Sequence, residues 1–222
     1  MDVDIRDSAS LKPAELDVLS QVLRDAGSPL NDVILEDQVE RFSRVSTVVR
    51  DEEVLGFLFG SLERIGGTPC VLWGLAATNA NGQSDTVLKM MTNELYRRAA
   101  ISFPDEDVLV AGRFWRPTLY QLFGGLQEPV PRPGYKASGE DRAWGRRLAK
   151  RFGCDARYDD RSFRSTGTGT PEPAIDVDLG GPTEPSVAEL LAPLEPERGD
   201  TMIAFGWAPA ESLAAVLAAN GR

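Results

Sequence analysis

Three apolar, strand-like segments, separated by turns too short to hold a helix, constrain this chain most. Residues 46–50 are short and β-branched, residues 54–62 are apolar almost throughout, and residues 70–77 follow in the same style. Asp51-Glu52-Glu53 separates the first two, and Gly66-Gly67-Thr68-Pro69 turns the chain before the third. Parallel neighbours need a crossover of a dozen or more residues, so these segments are expected to pair as an antiparallel meander. Residues 54–62, apolar on alternate and intervening positions alike, are expected to be buried on both faces.

The flanking sequence supplies helices. Residues 2–6 alternate as a short strand would. Pro13 suits the first turn of a helix whose Leu16, Leu19, Val22 and Leu23 recur at helical spacing, and Gly27 stops it. A second helix is expected over 31–44, with Val33, Ile34, Val39 and Phe42 apolar. A polar loop at 78–85 leads into a helix over 86–100, with Val87, Leu88, Met91 and Leu95 inward. Residues 108–112 read as a fifth strand and 117–123 as a short helix, and the prolines at 129, 131 and 133 force 127–133 to be extended. Residues 138–152 start a helix from a Ser138 cap, and a late strand at 201–207 precedes a last helix opened by Pro209. Residues 165–200 are rich in Gly, Thr, Pro and acid and read as the least regular part, with a short helix at about 186–191. The expected fold class is α/β (α+β), a mixed, mostly antiparallel sheet flanked by helices. One domain is expected over 1–222, with 127–200 a divergent, partly loop-rich segment within it.

Composition removes several chemistries. The chain has no histidine, which excludes Ser-His-Asp and Cys-His catalysis and every imidazole metal site. Cys70 and Cys154 form no CxxC pair, so no zinc site or disulfide framework is signalled. The net charge of −10, from 24 basic and 34 acidic residues, disfavours nonspecific nucleic-acid binding. The basic runs Arg97-Arg98 and Arg146 to Arg151 read as solvated helix faces. No apolar run approaches the ~18 residues of a membrane span. The acidic start, Met1-Asp2-Val3-Asp4, lacks a signal-peptide pattern, so a cytoplasmic protein is expected.

One junction could carry chemistry. A strand ends in a loop containing Gly82 that opens directly into a long helix. Unpaired amides and the positive dipole end at a helix N-terminus suit an anion such as pyrophosphate. Gly82 would let the backbone approach it closely, and Ser84 and Thr86 could add hydroxyl donors; an ordinary strand-to-helix turn would look the same. Asn79-Ala80-Asn81-Gly82-Gln83-Ser84 resembles the Gln/Arg-x-x-Gly-x-Gly/Ala pyrophosphate loop of the GNAT superfamily of acyl-CoA N-acyltransferases at its central glycine and small last residue, with Asn79 in place of the usual Gln or Arg. Leu119-Tyr120-Gln121-Leu122-Phe123-Gly124 resembles that family's Leu-Tyr-x-x-x-Gly segment. The likeness covers about residues 1–126 and, more loosely, the final strand, and is to a divergent bacterial GNAT-like branch.

The resemblance implies an acyltransferase that moves an acyl group, acetyl in the first instance, from acyl-CoA to an amine of a small molecule. It implies acetyl-CoA or another acyl-CoA as co-substrate, held by Leu75, Ala76, Ala77, Asn79, Asn81, Gly82, Gln83 and Ser84, with the amides near Leu75 and Ala76 polarising the thioester carbonyl. A splayed strand there would receive the pantetheine arm. Tyr120 would protonate the departing thiolate; alternatively it is an interfacial aromatic with a backbone partner. Without histidine the base would be a carboxylate, Glu63 first and Glu53 and Asp85 behind it, or a water chain. Trp73, Phe114 and Trp115 could line the acceptor side or fill the core. A small-molecule acceptor and a homodimer are the partners the likeness allows, with no nucleic acid or membrane. The competing expectation is a noncatalytic or repurposed GNAT-fold module for ligand binding or interaction.

Overall fold

The computed structural model describes residues 1–30, 33–79 and 82–219. Its strands are β1 (Asp2–Asp7), β2 (Arg44–Arg50), β3 (Glu53–Ile65), β4 (Thr68–Thr78), β5 (Val108–Phe114), β6 (Gln127–Val130), β7 (Tyr158–Asp159), β8 (Arg164–Ser165), β9 (Ile175–Asp176) and β10 (Thr201–Ala208). Its α-helices are α1 (Pro13–Asp25), α2 (Val33–Arg41), α3 (Ser84–Ser102), α4 (Gly139–Arg151), α5 (Pro185–Leu191) and α6 (Ala210–Ala219). The strands join in one mixed, largely antiparallel sheet in the order β1-β2-β3-β4-β9-β5-β10-β8-β7, with β6 also on β10.

The expected meander is present. β2 pairs antiparallel with β3, and β3 with β4. The turns use left-handed backbone at Asp51 and Glu52 (φ 51° and 69°) and at Gly66 and Gly67 (φ 60° and 91°). Glycine makes the second turn without a Cβ penalty. Leu55 through Ser61 are all buried, as a strand covered on both faces requires.

Each face carries its own apolar layer. On one, Leu88, Met91 and Leu95 of α3 and Leu213 of α6 pack against Val48, Leu58 and Val110. On the other, Leu19, Val22 and Leu23 of α1, Leu35 of α2 and Leu148 of α4 pack against Phe57, Phe59 and Leu72. Helix starts follow the sequence: Pro13 opens α1, and Ser138 and Asp141 cap α4 reciprocally.

Two features depart from expectation. The short helix after β5 is a 3₁₀ turn, Pro117–Leu122. The region expected to be loop-rich also enters the middle of the sheet. β9 pairs in parallel with β4 (Ala76↔Ile175, Ala77↔Asp176) and with β5 (Phe114↔Ile175). Ala174, Ile175, Asp176 and Val177 are all buried.

Candidate functional site

The site expected from sequence lies where β4 and β5 part. They pair directly from Cys70 to Trp73 against Leu109 to Gly112, then separate. A bulge in β4 bends it away: Trp73 and Ala76 face Gly60 and Leu58, so Gly74 and Leu75 stand opposite Phe59 alone. A Cβ on Gly74 would fall 2.5 Å from the ring of Phe42, just past the end of α2, so glycine is what lets that ring lie against the bulge. The gap that opens is the splay expected to receive an acyl-CoA arm, and β9 fills it.

The residues expected to hold the cofactor are gathered at this end of β4, but all the described ones other than Gly82 have a partner within the chain. Leu75 N–H donates to Gln38 Oε1 at 3.2 Å, so it is not a free oxyanion donor. Ala76 and Ala77 pair with β9. Asn79 N–H donates to the Leu55 carbonyl and its amide to Glu53. Gln83 accepts from Arg50 at 3.1 Å, and Ser84 Oγ accepts from Thr78 at 2.9 Å. Gly82 has φ +75° and open space where a Cβ would stand. Asn81 lies outside the described residues.

The loop faces a cavity of about 400 Å³ lined by Gly82, Ser84, Asp85, Arg116, Asp176 and Asp178, among others. Three carboxylates oppose one guanidinium there, and Arg116 is already committed to Asp176 at 3.1 Å. With Asp85 paired to Lys89, Asp176 and Asp178 remain against Arg116, a lining that does not favour a pyrophosphate. With β9 in the gap as well, the described residues do not fit an acyl-CoA.

Tyr120 sits just past β5, as expected, but its hydroxyl is turned elsewhere. It is buried and donates to the Pro131 carbonyl at 2.8 Å. The extended run beginning with β6, anchored on β10, brings that acceptor to it. Burial raises the phenol above its ordinary value, partly offset by Arg132.

Glu63 is not brought to this site. It stands opposite Cys70, at the far end of β4 from Ala77. Seven residues of strand separate the two levels, roughly 20 Å. Its carboxylate receives two hydrogen bonds from Arg151 of α4, at 2.7 and 2.9 Å. The structure thus ties Glu63 to Arg151, away from the end of β4 where the expected cofactor residues gather. Glu53 is tied to Asn79 and Asp85 to Lys89. Burial, with Glu63 adding to it, pushes the Cys70 thiol up to about 11, so it is no thiolate nucleophile near neutrality. Trp73 and Phe114 are core residues.

Sequence reading missed a second concavity on the α1, α2 and α4 face. It encloses about 200 Å³ and is lined by Arg41, Arg113, Arg151 and Arg157 with Asp37 and Glu172, beside Gln38 and Gly74. Three of these arginines had a faint signal, since Arg41 and Arg151 end helices and Arg113 is a charged residue in an otherwise apolar strand.

No family model matches the chain, and no curated protein matches it. Solved structures do. The ribosomal-protein-S18-alanine N-acetyltransferase from Escherichia coli matches at 9% identity and a TM-score of 0.49, over 93% of this chain and 94% of its own. The aminoglycoside 6′-N-acetyltransferase from Enterococcus faecium matches at 16% identity and 0.41, over 51% of this chain and 61% of its own, so less than two thirds of that protein is spanned. A GNAT family acetyltransferase from Brucella melitensis, in complex with acetyl-CoA, matches at 18% and 0.39, over 55% and 82%. The chain is similar to these acetyltransferases.

Proposed function

We propose that this chain is a repurposed GNAT-like module that binds a ligand without acyl transfer, its own β9 standing where an acyl-CoA arm would lie. The pairing of Ile175 with both β4 and β5, and of Asp176 with β4, carries this reading. The carboxylates of Asp85, Asp176 and Asp178 beside Gly82 support it, as do the committed Leu75 amide and Tyr120 hydroxyl.

Thermal unfolding with and without acetyl-CoA tests it. A ligand that binds only the folded state at a hundred times its Kd adds about 2.7 kcal/mol, which a melting curve reads easily. The expected result is no shift. A saturable rise in Tm with acetyl-CoA would sink the reading.

A second reading has one observation in its favour. β9 contributes only two residues to the ladder, so little pairing must be lost to vacate the gap. On that reading the protein transfers an acetyl group from acetyl-CoA to the amine of a small molecule once β9 has left.

A further inference from the structure

We propose that the arginine-lined pocket on the α1, α2 and α4 face is a binding site for a small carboxylate or phosphate anion. This goes beyond the reading above and rests on different side chains, the arginines that line the pocket.

The lining brings four guanidiniums against two carboxylates, Asp37 and Glu172. Glu63 pairs with Arg151 from outside the lining, which still leaves a positive excess inside a concavity of a chain whose net charge is −10. A concavity whose lining carries an excess of one sign of charge focuses its field on an incoming counter-ion.

The arginines are held, but not used up. Arg113 is 5% exposed and forms part of the pocket wall. Its Nε and Nη2 donate to Thr201 Oγ1 at 3.1 and 3.0 Å, and Nη2 also to Glu172 at 2.9 Å. Its Nη1 makes no hydrogen bond among the described residues. Arg157 is fixed by the Thr166 carbonyl through Nε and by Glu172 through Nη2. Arg41 spends only its Nε, on Asp37, and Arg151 spends Nε and Nη2. Each fork therefore keeps at least one terminal nitrogen uncommitted among the described residues. A guanidinium ordered through its Nε and Nη2 keeps its charge and its Nη1 donors for an incoming oxyanion, so the anion would be shared among several arginines, one nitrogen from each. Arg113 forms the base, and Arg41 and Arg157, 43% and 36% exposed, stand nearer the rim.

Isothermal titration of the full chain with inorganic phosphate and, separately, with succinate tests the site, with sodium chloride at matched ionic strength as the control. At least one probe is expected to saturate with a Kd at or below about 1 mM. The stronger of the two identifies the anion as phosphate or carboxylate. Arg41→Gln and Arg157→Gln should each weaken binding about tenfold, as loss of a hydrogen bond to a charged group does. Arg98→Gln, on α3 and outside the pocket, should leave the Kd unchanged. Arg113→Lys keeps the charge but loses the fork and should also weaken binding; if that variant fails to fold, the two rim variants decide. Neither probe exceeding chloride would overturn the proposal, and so would binding indifferent to Arg41→Gln and Arg157→Gln together. Acetyl-CoA stabilising both the wild type and these variants equally would sink the reading of the β4–β5 gap and leave this one standing.

Discussion

Tyr120 illustrates how little a residue's place in the chain says about its hydroxyl. The motif and its position after β5 are as expected, yet the donor is committed to Pro131. Tyr120→Phe should therefore act on stability rather than on chemistry, costing about 1 kcal/mol through the orphaned Pro131 carbonyl. Its pH dependence has a definite sign. Burial raises the phenol above its ordinary 10.0, so the wild type keeps this contribution below pH 10 and loses it as pH rises through the higher folded value. Urea unfolding of both proteins at pH 8 and above pH 10 should show the difference shrinking at the higher pH. A difference that grows with pH would contradict the buried, neutral phenol.

β9 is the element on which the functional reading turns, and its seating has an identifiable latch. Asp176 accepts from Arg116 and from Ser28 Oγ, at 2.8 Å for the latter, while 4% exposed. Asp176→Asn removes the charge from that cluster and should cost about 1–3 kcal/mol, the range for a hydrogen-bonded charge. Amides of residues 174–177 should then exchange faster by mass spectrometry, while those of β3 stay protected. If the variant acquires acetyl-CoA binding, acyl transfer with β9 displaced becomes the better account. If exchange at 174–177 is unchanged, Asp176 is not the latch. The path that leads there is itself tightly built, since a Cβ on Gly167 would overlap the Arg198 carbonyl oxygen.

For the whole molecule, β10 is the keystone. It pairs with β5, β6 and β8, and every residue of β5 is buried. Residues 1–126, the span of the sequence likeness, would leave β5 as an apolar edge without β9 or β10. Such an edge pairs with other chains. The fragment 1–126 should therefore aggregate or lack a cooperative unfolding transition, whereas 1–222 should unfold cooperatively. A soluble fragment with dispersed amide resonances would show that 127–222 is an addition rather than part of the folding unit.

What the sequence determined by itself was whatever rests on local geometry. Turn length forced the β2–β3–β4 meander, helical spacing marked Leu19 and Leu23 or Met91 and Leu95 as inward faces, and Ser138 announced α4. The parting of β4 and β5 was legible only through family likeness. Tertiary structure alone decided what occupies that gap, because a two-residue strand has no periodicity to read and its environment of Gly, Pro and acid resembles a loop. It alone decided that Glu63 belongs to Arg151, 88 residues away, and that Arg113 reaches Thr201 across the same separation. Charges far apart in a chain carry no mutual signal until the backbone is closed. The anion pocket, assembled from two helix ends, a strand and the approach to β9, became visible only then.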